Sequence, residues 1–357
     1  MAARTDAPPG APFDHDGLAV RVLFGPGRVG ALAEALDASG LERVLLIDGL
    51  EVPAVVAAVE DVLGRRRVRT LSRVRQHVPV EDAEAARALA RELEVDGLVA
   101  LGGGSATGLA KAIALTEALP IAAVPTTYAG SEMTAIWGMS ENDRKTTGRS
   151  AQVAPRIVIY DPELTYSLPA GATAASGMNA VAHCVEALWT AAATPLTDAV
   201  ATEGLALLAA GLRACVADPT DRPARATALR GAWLGGIALA SAGTALHHKL
   251  CHVLGGFGMP HAEVHAALLP EVTALFAPVV PGAAARVADA LGDQDAASGL
   301  RSLARELEAT QTLADMGLSA RQAREAAALA AAAELSSPRA VTEAEILDVL
   351  LAAGAPR

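Results

Sequence analysis

The sequence predicts an α/β domain followed by an all-α domain, and three observations carry that expectation. Over the first 165 residues short β-branched runs alternate with helical patterns, which implies a mostly parallel sheet covered by helices. From about Ala172 onward nearly everything is helical and rich in Ala and Leu, with few plausible strands. The 357 residues are 52% apolar and 19% charged, enough for about two sizeable cores and too apolar for disorder.

Val20–Phe24, Arg43–Ile47, Arg67–Leu71, Gly97–Leu101, Ile121–Pro125 and Arg156–Ile159 are the strand candidates. Between them Val29–Ser39, Val52–Gly64, Glu81–Glu94 and Ser105–Thr116 carry helical periodicity. Pro162 and Pro169 punctuate the change of style. The expected division is a loose, polar N-terminus over 1–16, an α/β domain over 17–165 and a helical domain over 166–357, with the active site in the cleft between the halves.

A net charge of -11 argues against nucleic acid and against an acidic membrane surface, both of which need basic partners. The longest apolar stretches, such as Ala326–Ala333, read as too short to cross a bilayer, and no secretory signal opens the chain. The three cysteines, Cys184, Cys215 and Cys251, are odd in number and lack metal-like spacing, so a reducing, cytoplasmic setting is expected.

Two glycine motifs compete for a nucleotide. Gly25-Pro26-Gly27-Arg28-Val29-Gly30 matches GxGxxG after a strand, and Asp48 ends the next strand, where a ribose-binding acid belongs. Gly102-Gly103-Gly104-Ser105 follows the apolar strand Gly97–Leu101 and opens a helix. Three glycines let backbone approach a pyrophosphate, the helix start adds N–H donors, and Ser105 can cap the helix or donate to phosphate. The second motif is the stronger candidate. A third loop, Pro125 to Glu132, brings Thr126, Thr127 and Ser131, whose hydroxyls suit a cofactor ribose or phosphate.

Five of the eight histidines, His247, His248, His252, His261 and His265, fall in one short stretch. His248 and His252 are four apart, as are Asn179 and His183, so each pair shares a helix face. Such a set suits either a divalent metal that polarises a carbonyl or a metal-free site that protonates a developing enolate.

Taken in order, GGGS (Gly102–Ser105), PTT…GSE (Pro125–Glu132), DPEL (Asp161–Leu164) and HxxxH…PH (His248, His252, Pro260, His261) resemble the iron-containing alcohol dehydrogenase superfamily, which shares its fold with dehydroquinate synthase. The resemblance runs from about Val20 to Thr342. It implies an N-terminal nucleotide-binding domain whose GGGS loop holds the pyrophosphate, leaving Gly25–Gly30 as a structural turn. Finer runs, including Ser176–Ala180, Lys145–Arg149 and His247–Gly256, are similar to the maleylacetate reductase branch. Metal-using relatives carry one Asp and three His; this chain keeps His183, His248 and His261 but has Asn179 in place of the carboxylate.

The resemblance therefore implies an NADH-dependent reductase of an activated C=C, with NADPH as the second cofactor and no divalent metal required. His248, His252 and His261 would stabilise the enolate or return a proton, and Asn179 and His183 would orient them or bind a substrate carboxylate. A small dianionic substrate needs local cations, for which Lys145 leads Arg144, Arg149 and Lys249. A homodimer is expected by analogy. The rival expectations are a metal-dependent alcohol or aldehyde reductase of the same superfamily and a lyase or cyclase of dehydroquinate synthase type.

Overall fold

The computed structural model describes residues 15, 17, 19–50, 52–141 and 144–356, with the side chains of residues 144, 145, 261 and 262 outside that description. Apart from His15, the expected loose end at 1–16 lies outside the described residues. The chain divides into two compact units, Leu18–Leu168 and a unit containing Pro169–Arg357.

The first unit runs β1 (Arg21–Phe24), α1 (Leu32–Asp37), β2 (Val44–Asp48), α2 (Pro53–Leu63), β3 (Arg67–Leu71), α3 (Val80–Glu92) and β4 (Gly97–Gly102), then α4 (Gly104–Glu117) and β5 (Ile121–Pro125). A hairpin of β6 (Ile136–Glu141) and β7 (Arg144–Arg149) precedes β8 (Ile157–Tyr160). Six strands form one parallel sheet in the order β1-β8-β5-β4-β2-β3. β2, β4, β5 and β8 are buried along their whole length, as central parallel strands covered on both faces should be, whereas the edges β1 and β3 are partly exposed.

Alternation along the strands separates two cores. Val44, Leu46, Val99 and Leu101 pack with Leu32, Leu36, Val59 and Leu63 of α1 and α2. Leu45, Ile47, Leu98 and Ala100 pack with Ala83, Ala86, Leu109 and Ile113 of α3 and α4. Because β2 leads outward to β3 while β4 leads the other way to β5, the chain reverses its winding between β2 and β4. That switch point is where doubly wound sheets open a crevice at the carboxyl ends of their strands.

Two local expectations change. The helix expected over Val29–Ser39 is a tight 3-10 turn, Arg28–Ala31, followed by the six-residue α1. The turn is tightened because the amides of Gly27 and Val29 are both held by the Asp161 carboxylate. The β6–β7 hairpin was not expected, since its polar, charged strands lack clean alternation. It is set by shape: Trp137 pairs with Gly148 across the hairpin, and a Cβ on Gly148 would lie 2.6 Å from the Trp137 ring, so the indole packs directly against the glycine.

Pro169 caps the second unit, which contains α5 (Ala170–Ala187), α6 (Pro195–Ala217), α7 (Arg222–Ala242), α8 (Leu246–Gly256), α9 (His261–Phe276), α10 (Pro281–Leu291), α11 (Ala296–Glu306), α12 (Ala320–Ala331) and α13 (Glu343–Ala352). α6 corrects the expectation about apolar length: with 23 residues it is long and apolar enough to cross a membrane. Here it packs against α5, α7 and α10, burying Ala201, Leu205, Leu208 and Leu212 as a bundle core helix does.

Small residues let α5, α6 and α7 approach closely. A Cβ on Gly211 of α6 would sit 2.5 Å from the Ala228 nitrogen of α7, and one on Gly177 of α5 would sit 2.4 Å from Leu212. The first clash is with backbone and cannot be relieved by a rotamer change. Gly211→Ala is therefore expected to cost about 1–3 kcal/mol by overpacking, lowering Tm by roughly 3–10 °C. Gly171→Ala, where no atom lies within 4 Å, should leave Tm unchanged or raise it. Equal melting of the two variants in a thermal scan would contradict the close-approach account.

Candidate active site

At the end of β4 the backbone is crowded in a way that only glycine permits. Gly102 adopts φ 138°, and a Cβ there would lie 3.2 Å from the Cα of Gly49, which follows β2. A Cβ on Gly103 would lie 2.9 Å from Oγ1 of Thr127. The loop after β5 is thus drawn over the glycines, and the Thr126 amide donates to the Gly102 carbonyl at 3.1 Å. Gly103 is the N-cap of α4 and no side chain caps it; Ser105 lies inside the first turn, which removes the capping option of the two expected for it and leaves donation to a phosphate. The first turn of a 14-residue helix therefore presents its amides and positive dipole end with no acidic side chain beside them.

Two further groups suit a ligand here. Thr126 is buried, and its Oγ1 finds no hydrogen-bond partner among the described residues, an arrangement that a bound polar group would relieve. Asp48 ends β2 beside Leu101, across the switch point. Its Oδ1 accepts from the Leu50 amide at 2.8 Å and its Oδ2 from Ser72 Oγ at 3.1 Å, which holds the carboxylate in place with acceptor capacity left over. Gly102, Gly103, Gly104, Ser105, Thr126, Thr127 and Asp48 thus converge on one end of the sheet, and their close-fitting backbone and open amides fit a dinucleotide pyrophosphate.

The competing Gly25–Gly30 loop already holds an anion of its own. Asp161 of the DPEL segment accepts from the amides of Gly27 at 3.1 Å and Val29 at 2.9 Å, and from Glu163 at 3.0 Å. The loop's donors are committed within the chain, so it is a structural turn.

Sequence reasoning assigned no role to Lys111. It is fully buried in α4, and Nζ donates to the Ser131 carbonyl at 2.6 Å, Thr134 Oγ1 at 2.9 Å and the Ile136 carbonyl at 2.8 Å. Ser131 Oγ accepts from the same ammonium at 3.3 Å, so this expected cofactor hydroxyl also belongs to the loop's internal support. Next to it Glu132 accepts from Tyr160 OH at 2.7 Å. Burial pushes the Lys111 ammonium down to about 7, opposed by the Glu132 charge. The signal was a lone cation within the apolar run Leu109–Ile113, a position where lysine is seldom buried without partners.

In the helical unit, α5 carries Asn179 and His183 one turn apart, and α8 carries His248 and His252 one turn apart. The structure brings His183 and His248 together as stacked rings, centroids 4.8 Å apart at 17°. His252, exposed, meets His248 edge-on at 6.5 Å. Asn179 is half-buried. His261 starts α9 and Lys145 lies in β7, and the side chains of both are outside the described residues.

Four residues lie behind these rings, Glu186, His247, Cys251 and His265, and none of them had been given a role of its own. Glu186, fully buried, lies 2.6 Å from His248 Nδ1 in a shared hydrogen bond and accepts from the His247 amide at 2.8 Å. Burial pushes its carboxyl up to about 7, while the backbone amides of Ala245, His247 and His248 oppose that rise. His247 Nε2 and His265 Nδ1 share a hydrogen bond at 2.9 Å, with Cys251 Sγ 3.6 Å from His247. These three could group as soft metal ligands, their donor atoms lying within 4.8 Å of one another, but the two imidazoles already satisfy each other. Glu186 had left a signal: it is the only charged residue in the 18 of α5.

Lys111→Met would remove the donor shared by four oxygens, of which the Ser131 carbonyl and Thr134 Oγ1 keep other donors. At about 1–3 kcal/mol per unsatisfied buried group, Tm should fall measurably, and the rise in Tm on adding NADH should shrink. A variant with wild-type melting and a wild-type NADH response would remove the supporting role of Lys111.

Residues 19–162 match the family model described as iron-containing alcohol dehydrogenase, and residues 173–354 match the C-terminal model of the same family. Maleylacetate reductase of Sphingobium indicum is 47% identical over 95% of this chain and 96% of its own. The crystal structure of maleylacetate reductase from Agrobacterium tumefaciens superposes with a TM-score of 0.91 at 40% identity, covering 95% of this chain and 97% of that one. An iron-containing alcohol dehydrogenase from Corynebacterium glutamicum gives 0.91 at 43%, covering 96% of each. Since both units are matched by the family's models and the likeness spans nearly the whole chain, the protein belongs to the iron-containing alcohol dehydrogenase family.

Proposed function

We propose that the protein reduces the activated C=C of maleylacetate, or a closely related 2-enone dicarboxylate, to 3-oxoadipate in aromatic-compound breakdown, using NADH. The observation that carries this reading is the near-full-length 47% identity to a maleylacetate reductase. The buried imidazole group around His248 supplies chemistry that suits it.

The balanced reaction is maleylacetate + NADH + H⁺ → 3-oxoadipate + NAD⁺. When bound, the dinucleotide supplies the hydride, which goes to the carbon β to the ketone. Gly102–Gly104 and the start of α4 receive the pyrophosphate, while Asp48 takes the ribose hydroxyls. In the helical unit His248, with His252 and His261, stabilises the enolate oxygen and returns the proton to the α carbon. Asn179 and His183 bind a substrate carboxylate or orient the ring. Lys145 leads the cations that offset the substrate's two negative charges in a protein whose net charge is -11.

The family takes its name from iron, so the fit of a metal needs testing against the residues present. The described donors are the imidazoles of His183 and His248 and the neutral amide of Asn179, while the nearby carboxylate, Glu186, is held by His248 Nδ1 and the start of α8. A neutral amide is a poor substitute for a carboxylate in a first-row metal site. We therefore read the reaction as metal-independent. A homodimer in the cytoplasm completes the proposal, in keeping with three free, buried cysteines.

Purified protein should oxidise NADH on addition of maleylacetate, and EDTA should leave that rate intact. Stoichiometric iron or zinc, with activity lost on chelation, would favour a metal-dependent alcohol or aldehyde reductase instead. Asp48 should also disfavour a 2′-phosphate. In Asp48→Ser the ratio of kcat/KM for NADH over NADPH is expected to fall by about tenfold or more; an unchanged ratio would discard the argument for NADH.

A further inference from the structure

We propose that Glu186 is the positioning residue of His248: from α5 it caps the start of α8 and fixes the tautomer and orientation of that imidazole. This rests on His248 acting in the reductase reaction.

The geometry is specific. Ala245, the N-cap of α8, has a side chain that cannot cap, and no side-chain bond from within the helix closes that end. The Glu186 carboxylate does so from another helix: Oε1 accepts from the His247 amide at 2.8 Å, and Oε2 lies 3.4 Å from the His248 amide. Oε2 also meets His248 Nδ1 at 2.6 Å. One carboxylate therefore holds both the backbone that carries His248 and the ring itself.

Backbone N–H groups can only donate, so they favour Glu186 as an acceptor, and His248 Nδ1 then carries the proton it shares with Oε2. Any proton that His248 exchanges with substrate must consequently move at Nε2. His183, stacked on the ring at 17°, and His265, edge-on at 4.9 Å, limit its tilt from two further directions. The arrangement resembles the way a carboxylate orients the imidazole of a hydrolytic triad. Here the same acid also anchors the helix start. No other charged residue occurs in α5, so nothing else on that helix can take over the task.

A double-mutant cycle separates positioning from mere structural support. With maleylacetate and NADH, Glu186→Gln should lower kcat by about a hundredfold with little change in the KM for NADH, and Glu186→Asp should recover part of the loss. In a His248→Ala background, Glu186→Gln should cost almost nothing more, because the ring it positions has gone. Additive losses, or wild-type kcat in Glu186→Gln, would overturn the proposal.

Nitrogen NMR of histidine-labelled protein gives a readout that does not need turnover. The His248 signal should report Nδ1–H in the wild type and should change in Glu186→Gln; an Nε2–H tautomer in the wild type would refute the assignment. Should Glu186→Gln fail to fold, Glu186→Asp takes its place in both experiments. If wild-type protein does not turn over maleylacetate, the proposed substrate fails, while the tautomer measurement still decides the role of Glu186.

Discussion

How closely two stretches of backbone can approach is the constraint on which both units depend. At the end of β4 it is met by Gly102 and Gly49, whose Cα atoms come near enough that a side chain on the first would touch the second. Removing side-chain bulk there leaves main-chain N–H groups as the lining of the crevice, which is what an anionic ligand needs. In the helical unit Gly211 and Gly231 allow α6 and α7 to pack almost backbone to backbone, and Gly177 makes room on α5 for the Leu212 side chain of α6. α5 then forms a rigid wall on which Asn179, His183 and Glu186 are held at fixed spacing.

Three buried charged groups, Asp161, Lys111 and Glu186, organise what the close packing leaves open. Each is a side chain from a regular or nearly regular element that satisfies backbone groups of an irregular one: the Gly25–Gly30 turn, the loop after β5, and the start of α8. Burying an ionisable group is costly unless several hydrogen bonds offset it. These loops supply several at once and are fixed in return.

Much of this was legible in the sequence, for reasons that differ by residue. The central strands could be read because a buried parallel strand is an apolar run, and the Gly102–Gly104 cradle because backbone access is written in the residue type itself. The pairing of His183 with His248 followed only in outline: helical spacing gave each helix face, not the stacking of the rings. What could not be read were partners distant in the chain. Asp161 lies 134 residues beyond Gly27, and Glu186 lies 62 before His248, so neither fits a local pattern. The β6–β7 hairpin escaped because its register depends on one indole fitting over one glycine. The length of α6 escaped because Asp198, Thr202, Glu203 and Arg213 interrupt a span that is apolar only on average.

The carboxylate of Asp161 in the Gly25–Gly30 turn has a consequence for molecular recognition. A tethered anion faces its donors at an effective concentration that a freely diffusing metabolite seldom reaches, commonly millimolar or above by order of magnitude (about 10⁻³ M). A phosphate in solution would have to displace a competitor tethered to the same chain. The chain thereby carries a built-in antagonist of one of its two glycine loops, and only the other keeps a helix start free of acidic side chains.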